Sequence, residues 1–541
     1  ASDVYKRQFH DRVHQKFGVE FDTKQWLDDA MVNCAYRGEQ TVYQKWIDTC
    51  DEAVNWLLDQ LEIPVENYSL TFNAGDFPEF TAAYDELSLS RSWNTSLNIP
   101  MAADEIAAKL QEKITAAGAE VLFNTPVVQL VTEGEKVVGA VVKGENGYVK
   151  YLTAKGVVLA TGGYEFNPEK LAACCRPRDL ALGHWMNGTK TNTGDGHEMA
   201  KAIGAMEDEY PHPLMLDPEQ LMPYLRVNKR GVRFTAEYEA YNHLANAIQA
   251  QPGAYNYYIV DANVMDIVTS IWTPSSSCYG PKEVWAGAAT SDKALKADTL
   301  EELAEKMGVP ADAFVATINH WNEMCDAGYD SDWGADASMM HFKIQDPPFF
   351  AASSVTGGNP SGGLCQHAAV CTDGEYRVLT GAKAPIPGLY AVGNCCGQRY
   401  GIQYHTPTAG NSCGSAFVTG YLAAEYVKND LDNGIGGGEN GSEERTTNGQ
   451  YYAGTYTASK NSGYSTVTVT MTFSEDAITD CKITSSGNDD LMKDDLRSSM
   501  AAAVVDSQGD TSVDAITSST LSFSVKAVQE AVADCIAQAK A

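Results

Sequence analysis

The sequence lacks the features that mark membrane proteins, haem carriers and zinc proteins. No apolar run approaches the roughly 20 residues needed to span a bilayer, and no signal peptide stands at the N-terminus. The 13 Cys residues, an odd number in 541, form neither a Cys-x-x-Cys-His haem run nor a Cys/His cluster with zinc spacing. We therefore expect no integral membrane segment, no metal site and no disulfide framework.

Positive charge is also scarce, because 39 Lys and Arg stand against 71 Asp and Glu, for a formal net charge of −32. Phosphate groups repel such a chain, which argues against nucleic acid or an anionic membrane as its main partner. The chain begins without Met, and Ala1–Gln8 resemble translated sequencing-adaptor read-through. We expect residues 1–8 to be non-native and the chain to be truncated; a processed mature end is the alternative.

Hydrophobic periodicity predicts the elements of the first 160 residues. Apolar residues at helical spacing predict two helices between Asp22 and Leu61 and a third helix over 104–117. The short apolar run Val157–Ala160 is typical of a parallel strand buried on both faces. Three further runs have the pattern of strands: Glu120–Phe123, Val127–Thr132 and Lys136–Lys143.

The composition changes over residues 206–341, where Tyr, Trp and Pro are frequent and a clean alternation of strand and helix is absent. We interpret this stretch, with a helix at Thr299–Met307, as an inserted domain. Gly and charged residues dominate 432–448, which predicts a flexible linker to a small α+β module at 449–541. The remaining predicted elements are a strand at 388–392, a helix at 411–427, a strand at Thr466–Phe473 and a helix at Val525–Ala539.

The most informative run spans Gly388 to Tyr421. A strand ends at Gly393-Asn394, where the backbone must approach another group closely, and Asn411 or Ser412 can cap the helix that follows. A strand end beside a helix N-terminus forms a pocket that stabilises an anion. Reduced flavins need such a pocket, because negative charge collects at N1 and the neighbouring C2 carbonyl oxygen.

Together with Ala160–Gly163 and Gly194–Ala200, this run resembles the FAD-binding domain of the fumarate reductase/succinate dehydrogenase flavoprotein superfamily, which includes urocanate reductases and 3-ketosteroid dehydrogenases. The resemblance covers about residues 20–430 and lacks the first βαβ unit with Gly-x-Gly-x-x-Gly, as expected for a truncated chain. It implies an α/β fold, in which a Rossmann-like domain (1–205 and 342–431) with non-covalent FAD is interrupted by an α+β capping domain (206–341). The residues implied for FAD binding are Ala160, Thr161, Gly162, Gly163, Gly194, Asp195, Gly393, Asn394, Gly410, Asn411 and Ser412.

The resemblance also locates the substrate side. Val227–Glu237 match the capping segment that leads to the proton donor of fumarate-reducing members, but Tyr241 stands where they have an Arg. Pro407 occupies the position of a second, carboxylate-clamping Arg, and Asn359 that of an expected His. Without the two cationic clamps the bidentate recognition of a small dicarboxylate is lost, so we do not expect fumarate as the substrate.

Tyr241 and Tyr404 are similar to the tyrosines with which 3-ketosteroid dehydrogenases handle the proton and polarise a ketone, and His212-Pro213 matches a His-Pro at the substrate wall. The implied reaction is hydride transfer between FAD and the C=C bond of an α,β-unsaturated carboxylate or ketone. Tyr241 would move the proton, and Tyr404 or His212 would hydrogen-bond the carbonyl. A steroid-type ketone dehydrogenase and a non-catalytic electron carrier are the alternatives.

The C-terminal module resembles a different flavoprotein family. Tyr452–Tyr456, the Val/Thr strand and Asp514–Thr520 are similar to the FMN-binding domain that carries FMN as a phosphoester on a Thr, although Ser518 and Ser519 replace the Gly and Ala of its motif. The resemblance implies covalent FMN on Thr520, attached by a flavin transferase, as a relay from an external electron donor. Because that transferase usually serves exported proteins, it also implies an extracytoplasmic bacterial protein, at the cell surface or in the periplasm.

Overall fold

The structure is a computed structural model that describes residues 11–17, 23–70, 97–144, 147–180, 190–215, 222–237, 241–271, 282–334, 342–353, 368–401, 404, 411–430, 441–444, 449–461, 465–487, 493–517 and 522–540. Its helices are α1 (Arg12–Lys16), α2 (Thr23–Asn33), α3 (Gln40–Leu61), α4 (Ala103–Ala116), α5 (Pro168–Cys174), α6 (Pro177–Leu180), α7 (Asp195–Ala202), α8 (Tyr241–Gln249), α9 (Val264–Ser270), α10 (Lys282–Ala289), α11 (Leu300–Met307), α12 (Ala311–Ala327), α13 (Asn411–Asn429), α14 (Asp494–Asp506), α15 (Asp514–Thr517) and α16 (Ser522–Ala539). Its strands are β1 (Ser69–Leu70), β2 (Leu97–Asn98), β3 (Val127–Glu133), β4 (Lys136–Gly144), β5 (Gly147–Leu152), β6 (Val157–Leu159), β7 (Leu225–Asn228), β8 (Asn256–Val260), β9 (Leu295–Ala297), β10 (Phe349–Ala352), β11 (Arg377–Leu379), β12 (Pro385–Ala391), β13 (Gly441–Glu444), β14 (Gly454–Asn461), β15 (Ser465–Phe473) and β16 (Ile478–Gly487).

Two parts of the chain that are distant in sequence meet in one sheet. Strand β12 pairs in parallel with β6, with Leu389 opposite Val157 and Ala391 opposite Leu159, and antiparallel with β11. The helices predicted before Leu61 are α2 and α3, and they bury their apolar faces against α13 in one hydrophobic cluster. This packing joins the segments on both sides of the insertion into one unit.

Two predictions about strands are wrong. Residues 120–123 are not a strand, and Val121, Leu122 and Phe123 are 40%, 44% and 66% exposed. Strand β6 is parallel, as predicted, but it lies at the edge of its sheet and leaves Val158 39% exposed. An apolar run becomes a buried strand only where neighbours cover it, and among the described residues β6 has a strand neighbour on one side.

The middle of the chain has its own sheet, with strand order β7-β8-β10-β9 and antiparallel pairs throughout. One hydrophobic cluster runs from Met222 to Ala352, so this unit extends past the predicted boundary at residue 341. At its other boundary, the backbone of Met206 bonds to Leu379 and that of Asp208 to Ala369, which ties residues 206–208 to the sheet of β11.

The C-terminal unit is a three-stranded meander, β14-β15-β16, covered by α14 and α16. The alternation in β15 buries Val467, Val469 and Met471 while the intervening Thr side chains face their counterparts across the strands, as with Thr457 and Thr470 at 3.0 Å. Strand β13 pairs with β5, so four residues of the predicted linker lie in a sheet. Within the described ranges no helix combines the length and the apolarity that crossing a bilayer requires.

Candidate flavin site

The Gly-bearing runs that the sequence singles out converge where the parallel strands β6 and β12 end, at one edge of their sheet. Because β6 and β12 are parallel neighbours, Thr161 and Gly393 follow strand ends that lie side by side. The Thr161 hydroxyl lies 3.4 Å from the Cys395 thiol in the 3₁₀ turn that follows β12. The Ser412 hydroxyl in the first turn of α13 donates to Oδ1 of Asn394 at 3.2 Å. The strand ends and the N-terminus of α13 therefore form one site.

Helix α7 closes the site from a third side. Its N-cap, Gly194, has φ +80°, a left-handed conformation that favours glycine. A Cβ on Gly196 would lie 2.1 Å from the Thr161 hydroxyl, so only glycine lets the helix approach the end of β6 this closely. The Nε2 of His197 contacts the Gly162 carbonyl at 3.1 Å. Glycine-bearing loops next to the N-termini of α7 and α13 let an anionic ligand approach the backbone N–H groups closely.

The structure brings together most of the residues predicted to bind FAD. Those described at this edge are Thr161, Gly162, Gly163, Gly194, Asp195, Gly393, Asn394 and Ser412, with Ala160 directly after β6 and Asn411 as the first residue of α13. Gly410 and Thr520 lie outside the described residues. Within the described part of the chain, no three His, Cys, Asp or Glu side chains are grouped as metal ligands would be.

A buried ion-pair network that sequence reasoning missed lies behind α7. Lys170, with a side chain 5% exposed, bonds Glu198 and Glu207 at 2.5 Å each. Burial alone would raise the pKa of Glu207, but Lys170 and His197 hold it well below its usual range. Burial alone would lower the pKa of His197, and the neighbouring Cys395 and Glu207 raise it to about 10. The sequence gives no signal for this network, since Lys170 and Glu207 stand 37 positions apart.

His212 lies against this network, with both ring nitrogens engaged. Its Nδ1 lies 2.5 Å from the Tyr164 hydroxyl, and its Nε2 lies 2.8 Å from the Asp208 carbonyl. The carbonyl can only accept, so Nε2 carries the proton and Nδ1 accepts from Tyr164. Burial lowers the pKa of His212 and keeps the ring neutral. Both ring nitrogens of His212 are thus engaged within the protein, which leaves neither of them for the predicted hydrogen bond to a substrate carbonyl.

An aromatic wall stands beside the 3₁₀ turn at Gly393–Cys395. The rings of Tyr400 and Tyr404 lie 4.6 Å apart, and both side chains are buried. Arg399, which sequence reasoning did not single out, is 2% exposed and lies 5.1 Å from the Tyr400 ring. A signal for it exists, because it is the sole Lys or Arg between Lys383 and Lys428.

The middle unit contributes a charge cluster just ahead of α8. Arg233 bonds Glu237 at 2.6 Å and Asp330 at 2.7 Å, and its guanidinium lies 5.0 Å from the Trp321 ring. Burial raises the pKa of Glu237 in spite of Arg233. Tyr241 is the first residue of α8, and its side chain lies outside the described residues. The cluster fixes the chain shortly before Tyr241.

Comparison with known proteins identifies the family. Residues 10–413 match a family model described as an FAD binding domain. The chain belongs to this FAD binding domain family. The glycine-lined strand ends and the N-termini of α7 and α13 fit that cofactor, since they leave backbone donors and space where a phosphate or a flavin edge approaches.

Other members of the FAD binding domain family show where this chain stands. It is 30% identical over 370 residues, 60% of this chain and 59% of the relative, to 4-oxocyclohexanecarboxylate 2-dehydrogenase of Sinomonas cyclohexanicum. It is 26% identical to vinyl phenol reductase of Lactiplantibacillus plantarum, over 72% of this chain and 81% of the relative. The open structure of a flavocytochrome c3 fumarate reductase superposes with a TM-score of 0.51 at 24% identity, over 77% of this chain and 69% of that chain. The fold is thus the mixed helix and sheet fold of fumarate reductase flavoproteins, and the chain spans 59% of the length of the first relative.

Proposed function

We propose that this chain transfers hydride between FAD and the C=C bond of an α,β-unsaturated carboxylate or ketone other than fumarate. The observation that carries the proposal is the convergence of three Gly-bearing runs at the ends of β6 and β12, beside the helix N-termini of α7 and α13. We assign the middle unit, from Met222 through Ala352, to a capping domain that covers the substrate. Relatives that act on a cyclic ketone carboxylate and on a vinyl phenol support an activated C=C bond as the reacting group.

The residues of this chain would bind the substrate and move one proton. When bound, FAD supplies the hydride chemistry at its N5 atom. The Tyr241 hydroxyl gives a proton to the α-carbon as the β-carbon receives hydride, so that C=C becomes CH–CH, and the reverse reaction returns the proton to Tyr241. A Tyr of pKa about 10 is a competent acid towards an enolate-like carbon. Tyr404 hydrogen-bonds the activating carbonyl, and His212 orients the Tyr164 side chain through the hydrogen bond to its hydroxyl.

The replacement of Tyr241 by Phe tests the proton assignment. Because the hydroxyl alone is lost, turnover should fall by about 10² to 10⁴, the usual contribution of general acid catalysis, while dithionite still reduces the FAD. Tyr36→Phe is the matched control, since Tyr36 is 70% exposed. Reoxidation of photoreduced protein by enones, aryl-acrylates, urocanate and fumarate identifies the substrate class. Full turnover in the Tyr241→Phe variant, or reoxidation by fumarate alone, would contradict the proposal.

The oxidative direction is a second candidate. Similarity to a 4-oxocyclohexanecarboxylate 2-dehydrogenase favours it, because that relative is named for the dehydrogenation of a ketone ring. The same residues serve both directions, with Tyr241 as base instead of acid. Reduction of the bound FAD by a saturated ketone, measured without any other donor, separates a dehydrogenase from a reductase and from a non-catalytic electron carrier.

We further propose that the C-terminal unit carries covalent FMN on Thr520, placed there by a flavin transferase, and that the protein works outside the cytoplasm with an external electron donor. The C-terminal unit packs against the rest of the chain: Gln129 in β3 donates to the Thr455 carbonyl at 2.7 Å, and a cleft of about 1680 Å³ separates β3 and α7 from β14. This cleft is lined by Gln538, whereas α16 begins at Ser522, about 24 Å away along the helix axis. Thr520 comes two residues before Ser522 in the sequence, and we propose that the C-terminal unit reorients to bring its FMN to the FAD site.

The mass of the intact protein tests the FMN proposal. Co-expression with a flavin transferase should add one FMN to the wild type and none to Thr520→Ala. Thr479→Ala is the matched control, because Thr479 is an exposed Thr of the same unit, on β16. Ser518→Gly combined with Ser519→Ala restores the usual motif and should raise the modified fraction. An unshifted wild-type mass would rule out the relay.

A further inference from the structure

Arg399 is a buried cation that forms no ion pair with any described carboxylate. Its Nε donates to the Cys396 carbonyl at 3.0 Å, and its Nη2 donates to the Gly393 carbonyl at 2.8 Å and to Oδ1 of Asn394 at 3.3 Å. All three acceptors are neutral. Among the described residues no carboxylate lies within 4.0 Å of this guanidinium, although Arg233 and Arg377 each have at least two.

The Nη1 of Arg399 is buried and has no hydrogen-bond partner in the part of the chain that the structure describes. A guanidinium stays charged in proteins and carries five donors, so a buried one needs acceptors on every side. Leaving a charge buried without a counter-charge destabilises the fold. Capping of the 3₁₀ turn explains Nε and Nη2 and leaves both Nη1 and the positive charge unexplained.

The surroundings of Arg399 keep its charge strong. Tyr400 lies 5.1 Å below the guanidinium and packs on Tyr404, so that water is kept away on that side. Asn394, which accepts from Arg399, also accepts from Ser412 in the first turn of α13. The partial positive charge of that helix N-terminus therefore adds to the full charge of Arg399 at the end of β12.

We propose that Arg399 stabilises the negative charge that the FAD ring acquires on reduction, and thereby raises the midpoint potential of the flavin. The proposal rests on the proposed function, because it places the flavin at Gly393 and Asn394. Uptake of two electrons and one proton from an external reductant leaves the ring with one negative charge, and an uncompensated cation at this edge favours that form. Arg399 is a tuning residue, distinct from Tyr241 and Tyr404 at the substrate.

The experiment measures two properties of the bound flavin in the FAD-loaded protein: its midpoint potential, and the dissociation constant of sulfite, which adds to oxidised flavin and leaves negative charge on the ring. Arg399→Gln should favour the oxidised flavin at least tenfold, a fall of about 30 mV for a two-electron couple. Sulfite binding should weaken at least tenfold. Arg399→Lys keeps the charge and should fall between the wild type and the Gln variant, and Arg377→Gln, which removes a cation paired with Asp373, should change neither value.

The outcomes separate the role of Arg399 from the proposed function. A potential and a sulfite affinity that are the same in wild type, Arg399→Gln and Arg399→Lys would overturn the role of Arg399 even if enones are turned over. If the Gln variant does not fold, the Lys variant decides alone: a lower potential and weaker sulfite binding than in the wild type support the proposal, and wild-type values overturn it. A shifted potential without turnover of any unsaturated substrate would overturn the proposed function alone. A wild type that takes up no FAD, or forms no adduct with excess sulfite, would overturn this inference.

Discussion

Two of the arginines with buried side chains, Arg233 and Arg399, lie in different regions of this chain and have opposite electrostatic surroundings. Arg233 in the middle unit has a side chain 5% exposed and bonds two carboxylates, Glu237 and Asp330. Arg399, at the end of β12, bonds neutral acceptors and keeps one nitrogen without a partner among the described residues. The charge of Arg233 is thus neutralised within its own cluster, as in a structural ion-pair cluster. At the end of β12, the Arg399 charge has no described ion-pair partner, which is the arrangement expected where a bound ligand becomes negative.

The largest expected effect comes from breaking the balanced cluster. Arg233→Met leaves Glu237 and Asp330 buried without their cation and should lower the free energy of unfolding by about 3 to 5 kcal/mol. Urea titration followed by Trp fluorescence measures it, since Trp321 lies under the Arg233 guanidinium. The control is Arg230→Met, an exposed arginine three residues earlier. A loss of unfolding free energy below about 1 kcal/mol would mean that the ion pairs of Arg233 contribute little, so that Arg233 and Arg399 would not differ in charge balance.

The pH dependence of two aspartates sharpens the same comparison. Asp330 is buried, which alone would raise its pKa, but its hydrogen bonds with Arg233 lower it. Asp208 accepts hydrogen bonds from the backbone N–H groups of Ala369 and Gln398, next to Arg399, and burial raises its pKa from 3.8 to about 6 in spite of them. No described ion pair joins Arg399 to Asp208, and the charge of Arg399 lowers this pKa by less than burial raises it.

The two shifts predict opposite signs. The raised pKa of Asp208 means that its favourable contribution is present below pH 3.8 and is lost as pH rises through 6, which amounts to about 3 kcal/mol. The lowered pKa of Asp330 means that its contribution is present above 3.8 and is lost in acid. Between about pH 4 and pH 7, Asp208→Asn should therefore gain stability relative to wild type. Asp330→Asn should be less stable than the wild type at neutral pH, and this difference should disappear only towards acid pH. Equal slopes of unfolding free energy against pH in the two variants would contradict the assignment.

Local pattern was enough to predict much of the fold. The apolar spacing of α2 and α3, the Val/Thr alternation of β15 and the parallel strand β6 were all visible in the sequence, because each depends on residues close together in the chain. The failed strand at 120–123 has the same apolar pattern but lacks a described partner strand. The apolar pattern of a segment indicates that it can form a strand, and the tertiary structure decides whether a partner strand is there to pair with it.

The candidate site was predictable only where glycines mark close backbone approach. Gly194 and Gly393 could be found in this way, because their role is local and follows from conformation. Arg399 stands out in the sequence as the sole Lys or Arg between Lys383 and Lys428, but the lack of an ion-pair partner could not be predicted, since it depends on which described groups surround the guanidinium in three dimensions. The same holds for Lys170, whose partners Glu198 and Glu207 come from α7 and the segment after it.

The smallest expected effect on stability belongs to Arg377, whose ion pairs are partly exposed to solvent. Arg377 in β11 bonds Asp373 at 2.8 Å and Glu375 at 3.3 Å, with 22% of its side chain exposed. Water and salt screen such a pair, so Arg377→Gln should cost at most about 1 kcal/mol, and less at high ionic strength. Urea titration at low and high salt measures both values. A loss as large as that of Arg233→Met would show that burial does not separate the arginines of this chain, and the contrast with Arg399 would then rest on the missing carboxylate alone.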